Sequence, residues 1–468
     1  MDPTENIPER SKLWLDQKNH VVISGKFFDP VTKIFFIFLM IFTFVIFWPI
    51  IYKLNFEAVF YTPFIPLLIN AFGILNVSKQ ITVSLIYLAS FIASVGGVYL
   101  LVRYLTRRQS TAIFAGLIYI IWPIPIFILL FLTGRVFESG LVSPASFLSI
   151  IYGEVDYFFA LALLPYAGLF YLNYLKYARK IDLLSTVILC LLIFLANQSQ
   201  SLSLILVLSI ITLTEIFLGQ FRLKIKRAIL LIVISLGLAS FWYIPIAIAS
   251  PTAIFTSHVV ANLKLLFPLP AIVGILSLII SFAFFAKRQD RQAIFLSFLL
   301  LIIFLSLVSD WLLHGRSYVA HPNRLIPNMI MFGSVVLASA ATAILDKVNL
   351  AGRVNFEKWS LLKKIIGSIF FGIISFAVLS ITAVILTPIG ISLVTGERGI
   401  WTKIRMQMIN ERAEAIANSK SNFELVIPEI NLNYWLIGAG LTLFFILLLG
   451  WLFLKKNGPD SNNQAISE

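Results

Sequence analysis

The stretch "ITVSLIYLASFIASVGGVYLLVRYLTRRQSTAIFAGLIYIIW", residues 81–122, decides the fold class. Two apolar runs are joined by "RYLTRRQS", a short turn that carries Arg103, Arg107 and Arg108. Each run is close to the length that crosses about 30 Å of hydrocarbon as a helix. Only helices and closed barrels satisfy their backbone groups in lipid, and runs this uniformly apolar read as helices.

Working outward, the same pattern repeats along the chain. The limits are 34–52, 82–104, 110–131, 156–174, 183–196, 202–219, 228–248, 267–286, 292–312, 323–345, 365–387 and 434–454. The sequence therefore predicts an all-α polytopic membrane protein with about twelve transmembrane helices. Composition agrees: of 468 residues, 59% are hydrophobic and 12% charged, with mean hydropathy +0.94. A soluble domain of this size carries far more charge. Segment 1–33 is polar and mixed in charge, with no short apolar core and cleavage site, so no cleavable leader is expected. The span from Ile34 is expected to serve as the insertion signal.

The net charge of +14 is not spread as a nucleic-acid footprint, which needs a basic stripe on a soluble domain. Most of the 36 Lys and Arg side chains fall in alternate loops. The clusters include Lys176/Arg179/Lys180, Arg222/Lys224/Lys226/Arg227 and Lys287/Arg288/Arg291. By the positive-inside rule these loops are cytoplasmic, and the even span count places both termini there. The predicted location is multi-pass in a prokaryotic plasma membrane. Predicted divisions are a cytoplasmic segment 1–33, a transmembrane module 34–345, a C-terminal pair 346–455 with a long outer loop 388–433, and a cytoplasmic tail 456–468. Cys190 stands alone in an apolar run, so no intrachain disulfide is possible, and a small packing residue is expected.

The outer segments hold the candidate chemistry. Segment 53–81, "NFEAVFYTPFIPLLINAFGIL" at its centre, is broken by proline and reads as an amphipathic or re-entrant helix on the membrane. Its one acid is Glu57. Segment 132–155 runs up to Glu154-Val-Asp156. In extended backbone, residues i and i+2 point the same way, so both carboxylates can hold one divalent cation, Mg or Mn. One of them can instead act as a base toward a hydroxyl. The plainer reading is a solvated acidic edge to span four. Segment 313–322 and its flanks bring Asp310, His314, Arg316, His321 and Arg324 together. Arginine forks suit phosphate oxygens, while a structural pairing of Asp310 with an arginine accounts for the same residues. In "ASFWYIPIAIASP", Trp242 and Tyr243 fit an interfacial position, and Pro245 is expected to break or kink the helix near the outer surface. These aromatics either brace the kink or line a lipid groove. Segment 197–201, "NQSQS", reads as a tight hairpin with little that is reactive. No span carries an ionisable residue near its middle, which weighs against ion-coupled transport. No nucleotide-binding glycine loop is present.

Several of these features resemble the GT-C superfamily of integral-membrane glycosyltransferases. They are the helix-bearing first outer loop, the basic turn after span two, the Glu154-Val-Asp156 pair, the following hairpin, "SFWYIPIAIASP" and "HPNRLIP". The likeness covers residues 34–345 and is similar to arabinofuranosyltransferase-like envelope proteins of bacteria and archaea. It implies transfer of a sugar from a polyprenyl-phosphate carrier to a glycan, lipid or protein acceptor on the outer face, with no nucleotide or redox cofactor. It assigns Glu57 as candidate base, Glu154 and Asp156 to metal or acceptor, and Arg316 and Arg324 to the donor phosphate; His321, Trp242 and Tyr243 remain substrate-binding candidates from the residue pattern alone. The chain departs from the family in one respect: the family's first loop usually carries a catalytic Asp, and here Glu57 stands alone. A transporter or flippase of a lipid-linked intermediate, or a non-catalytic envelope scaffold docking through 388–433, are the alternative classes. A flippase built from repeats would show similar halves, and these halves differ.

Overall fold

The computed structural model describes residues 30–43, 59–60, 62–106, 108–121, 155–217, 221–249, 326–347, 424–425 and 430–454. Helix α1, Pro30–Phe42, belongs to the first of two compact units, Met1–Lys53. Every other described element belongs to the second, Leu54–Glu468.

The described elements of the second unit are helices, apart from one two-residue bridge. Its helices are α2 (Phe64–Ile74), α3 (Lys79–Thr106), α4 (Gln109–Ile121), α5 (Val155–Tyr177), α6 (Lys180–Ala196), α7 (Gln198–Phe217), α8 (Phe221–Leu238), α9 (Ser240–Ala249), α10 (Ile326–Lys347) and α11 (Leu432–Leu454). Strands β1 (Val59–Phe60) and β2 (Glu424–Leu425) pair in parallel, Val59 opposite Glu424 and Phe60 opposite Leu425. Among the described residues, α3, α5 and α11 are each long and apolar enough to cross a membrane, and α8 with α9 makes a fourth if the bent pair counts as one span. The predicted spans 267–286, 292–312 and 365–387, and the parts of 34–52 and 110–131 beyond α1 and α4, lie outside the described residues.

Helix α5 is the hub. It packs on α3, α6, α7 and α8. Between α3 and α5 the fit is tight: a Cβ at Gly97 would lie 2.6 Å from Pro165 Cγ. Tyr87 stacks on Phe158, with ring centroids 6.1 Å apart. Where lipid replaces water, hydroxyl pairs and small residues join helices. Ser94 Oγ meets Tyr119 Oη at 2.7 Å between α3 and α4, and Tyr171 Oη meets Thr212 Oγ1 at 2.5 Å between α5 and α7. Cys190 is fully buried and free, as expected.

Two features stand out against expectation. α2 forms in the first outer segment, as expected, but it lacks the polar face of the amphipathic alternative. Ile65, Pro66 and Ile69 are buried, Leu67 and Ile74 are exposed, and Asn70 is the only polar side chain among them. It is a short apolar helix seated on α3 and α6. The second difference is the bend between α8 and α9. The two helices meet at 75° around Ala239, whereas Pro245 lies inside α9. The turn is held from outside by α11. Ser240 Oγ donates to Gly237 O at 2.6 Å and meets Thr442 Oγ1 at 3.0 Å, and Phe241 N–H donates to Thr442 Oγ1 at 2.9 Å.

The bundle has two chemically distinct ends. At one, Lys180 Nζ donates to Phe453 O at 2.9 Å, and Lys176 and Lys224 converge on Glu215. At the other, Trp242 packs on Trp435, 5.6 Å between centroids, and the α6–α7 hairpin collects polar side chains.

Candidate functional site

The hairpin is built around Asn197. The α6 backbone leaves the helix here, with Asn197 extended at φ −153° and ψ 125°. One residue then serves two helices. Its N–H donates to Ile193 O at 3.1 Å, closing α6. Its Oδ1 accepts from Gln200 N–H at 3.1 Å, the N-cap bond that satisfies an orphan donor of α7. Asparagine is among the best residues for this, which is why the polar break folds as a tight turn.

The remaining Asn197 donor reaches the predicted acid. Nδ2 donates to Asp156 Oδ2 at 2.8 Å. Asp156 lies in the first turn of α5, not in extended backbone. There its charge faces the positive end of the helix dipole. Asp156 is partly exposed, while Asn197 is buried at 7% exposure. The carboxylate is therefore held by the fold as well as wetted at an edge.

Three further segments meet the same hairpin. Thr62 Oγ1, just ahead of α2, donates to Ala196 O at 2.5 Å. Tyr243 Oη of α9 donates to Phe194 O and is hydrogen-bonded to Ser201. Asn328 Nδ2, at the start of α10, donates to Ser203 Oγ at 3.0 Å. Gln200 is 1% exposed and neither of its amide atoms has a hydrogen-bond partner; Asn328 is fully buried and its Oδ1 has none either.

Of the residues singled out from sequence, Asp156 and Tyr243 are brought together on this hairpin. Trp242 is buried, 5% exposed, against Trp435. Glu57, Glu154, Asp310, His314, Arg316, His321 and Arg324 lie outside the described residues. Among the described residues there is no group of three or more His, Cys, Asp or Glu that could hold a metal. Thr62, Asn197, Gln200, Ser203 and Asn328 were not singled out. Their signal was present: amide side chains at the edges of apolar runs are costly unless they meet a partner.

The opposite end holds a charge cluster. Glu215, 1% exposed, accepts from Lys224 Nζ at 3.1 Å, and Lys176 Nζ stands 3.6 Å from its other oxygen. Lys224 Nζ also donates to Glu215 O at 2.7 Å, and Lys176 lies over the Tyr104 ring at 5.6 Å. Arg227 donates to Leu175 O, a carbonyl left open at the end of α5. This cluster joins α5, α7 and α8.

Compared with known proteins, the chain matches no family model, no curated protein and no solved structure.

Proposed function

We propose that the chain is a membrane glycosyltransferase of the GT-C kind, working at the outer end of its helix bundle. The observation that carries the reading is the fixed carboxylate of Asp156, oriented by Asn197 at the hairpin where α2, α5, α9 and α10 converge. A carboxylate aimed by an amide, partly open to water at the edge of an apolar bundle, is suited to orienting an acceptor hydroxyl or a cation.

In this reading the acceptor oxygen attacks the sugar's anomeric carbon. The bond from that carbon to the carrier's phosphate oxygen breaks, and polyprenyl phosphate leaves with the electron pair. Glu57 takes the acceptor proton. Arg316 and Arg324 offset charge on the leaving phosphate, with His321 beside them. Glu154 and Asp156 would hold a divalent cation where one is used, and that cation would add Lewis-acid polarisation. The donor is a polyprenyl-phosphate sugar, and the acceptor a glycan, lipid or protein. The basic loops 176–180 and 222–227 face the cytoplasm, and about twelve spans with both termini inside complete the layout.

The test compares envelope glycans by mass spectrometry in wild type, a deletion strain and Asp156→Asn. Asparagine keeps an acceptor for Asn197 and removes the charge. Loss of the same sugar in the deletion and in a normally inserted Asp156→Asn supports the reading. Unchanged glycans in the deletion overturn it in favour of the transport or scaffold class.

A further inference from the structure

A buried amide with no hydrogen-bond partner is uncommon in a folded protein, because it has lost water and gained nothing in return. Gln200 carries two such atoms, Nε2 and Oε1, and Asn328 carries one, Oδ1. Of the three residues with such amide atoms among the described residues, Gln200 and Asn328 both meet α7 near the hairpin, while the third, Asn173, lies toward the other end of α5. Gln200 and Ser203 lie three residues apart, on one face of α7. Ser203 is the residue that Asn328 bonds. Gln200 N–H is bonded to Asn197, which holds Asp156. The backbone of Gln200 is thus joined to the carboxylate through Asn197, and Asn328 is joined through Ser203 to the same first turns of α7.

The chemistry of the open atoms is specific. Together they offer one donor group and two acceptors, all uncharged. A hydroxyl is both donor and acceptor, so a ring bearing several hydroxyls matches this set. A phosphate, which only accepts, and a cation, which only needs oxygen, each leave part of it unused. We propose that Gln200 and Asn328 form the hydroxyl-recognition subsite of the transferred sugar, beside Asp156. This inference rests on the glycosyltransferase reading and names the substrate class that its site selects. It also accounts for retaining orphan amides: function is kept at the expense of stability.

The test separates a subsite from a packing defect. Gln200→Met keeps length and bulk but removes both polar atoms. Asn173→Leu is the control, since the Asn173 amide is equally buried and without partner. It lies about 25 Å farther along α5 than Asp156, at 1.5 Å per residue. Each variant is expressed as the full chain. Its melting temperature in detergent is measured, and so is the cellular level of the envelope sugar that the deletion strain loses. Gln200→Met is expected to melt at or above the wild-type temperature and to lower that sugar about tenfold or more, because a site built for hydroxyls depends on its hydrogen bonds. Asn173→Leu is expected to melt no lower and to leave the sugar unchanged. Wild-type sugar levels in Gln200→Met overturn the subsite alone. A lowered melting temperature in Gln200→Met overturns it too, because the amide is then a structural one. Sugars unchanged in the deletion strain overturn the transferase reading and the subsite together.

Discussion

Asn197 and Asp156 are 41 residues apart in sequence and 2.8 Å apart in space, joined by a hydrogen bond from the amide to the carboxylate. The same asparagine caps α7 through Gln200 N–H. Asn197→Ala removes both bonds. A lost cap costs about 1 kcal/mol. A lost bond to a charged group costs about 1.5–3 kcal/mol, toward the low end here because water reaches Asp156. The expected destabilisation is about 2–3 kcal/mol by thermal melting in detergent. Asn197→Asp separates the parts. It keeps a capping oxygen but sets a second carboxylate against Asp156, so pairing it with Asp156→Asn should recover stability. A purely additive double variant would show that the two side chains are not coupled.

Glu215 is the buried centre of a three-helix charge cluster, and the two lysines that meet it among the described residues are unequal. Lys224 is 7% exposed as a residue, whereas the Lys176 side chain is 27% exposed. Removing one member of a buried pair strands the other and costs about 3–5 kcal/mol. Glu215→Leu strands Lys224 with only a backbone carbonyl. Lys224→Met leaves Glu215 with Lys176. The first variant is therefore expected to lose more than the second, and the double Glu215→Leu/Lys224→Met to lie close to wild type. A double variant as unstable as Glu215→Leu would contradict the pairing.

The legible parts of this fold were those written locally. Apolar runs located α3, α5 and α11 to within three residues at each end, because a bilayer span fixes both length and composition. The five polar residues 197–201 located the hairpin for the same reason. What stayed hidden depends on partners distant in sequence. Pro245 looked like the break, yet the bend sits at Ala239, where Thr442 and Gly438 of α11 receive Ser240. The hairpin's chemistry was hidden in the same way: the partner of Asn197 comes from α5, and that of Ser203 from α10.

Gly438 is the contact point between α11 and the bend. A Cβ there would lie 2.8 Å from Ser240 O and 3.1 Å from Pro245 Cδ, neither of which can turn aside. Gly438→Ala should destabilise by about 1–3 kcal/mol through overpacking. Gly440 lies on the same helix, and a Cβ added there would meet nothing within 4 Å. Gly440→Ala should be stabilising by up to about 1 kcal/mol, from helix propensity alone. Melting temperatures that move together in the two variants would rule out the close approach.

Ala178 ends α5 in a left-handed conformation, φ 53°, with its N–H donating to Tyr174 O at 2.9 Å. This is the single-bond helix stop that glycine normally occupies. Alanine there bears a steric cost of about 1–2 kcal/mol. Ala178→Gly should raise stability by about 1 kcal/mol, the gain being reduced by glycine's greater freedom when unfolded. Asn76, φ 59°, ends α2 in the same region, and asparagine tolerates it. Asn76→Gly should accordingly change little. A fall in melting temperature for Ala178→Gly would refute the strained stop.

The two ends of the bundle make the membrane orientation testable. Lys79 and Gln198 are exposed near one end, Arg222 and Lys226 near the other. In a Cys190→Ala background, each is replaced singly by cysteine. The native thiol is fully buried and should itself resist labelling until the protein is denatured. Lipid headgroups and the translocation machinery hold Lys- and Arg-rich loops inside. An impermeant maleimide added to intact cells should therefore label Lys79→Cys and Gln198→Cys, and reach Arg222→Cys and Lys226→Cys only after the membrane is opened. The expected pattern places Asp156 and the hairpin on the outer face, where the proposed lipid-linked donor would be presented. The reverse pattern would put the carboxylate in the cytoplasm and remove the outer-face transferase, since Asp156 and Gln198 share one end of the bundle.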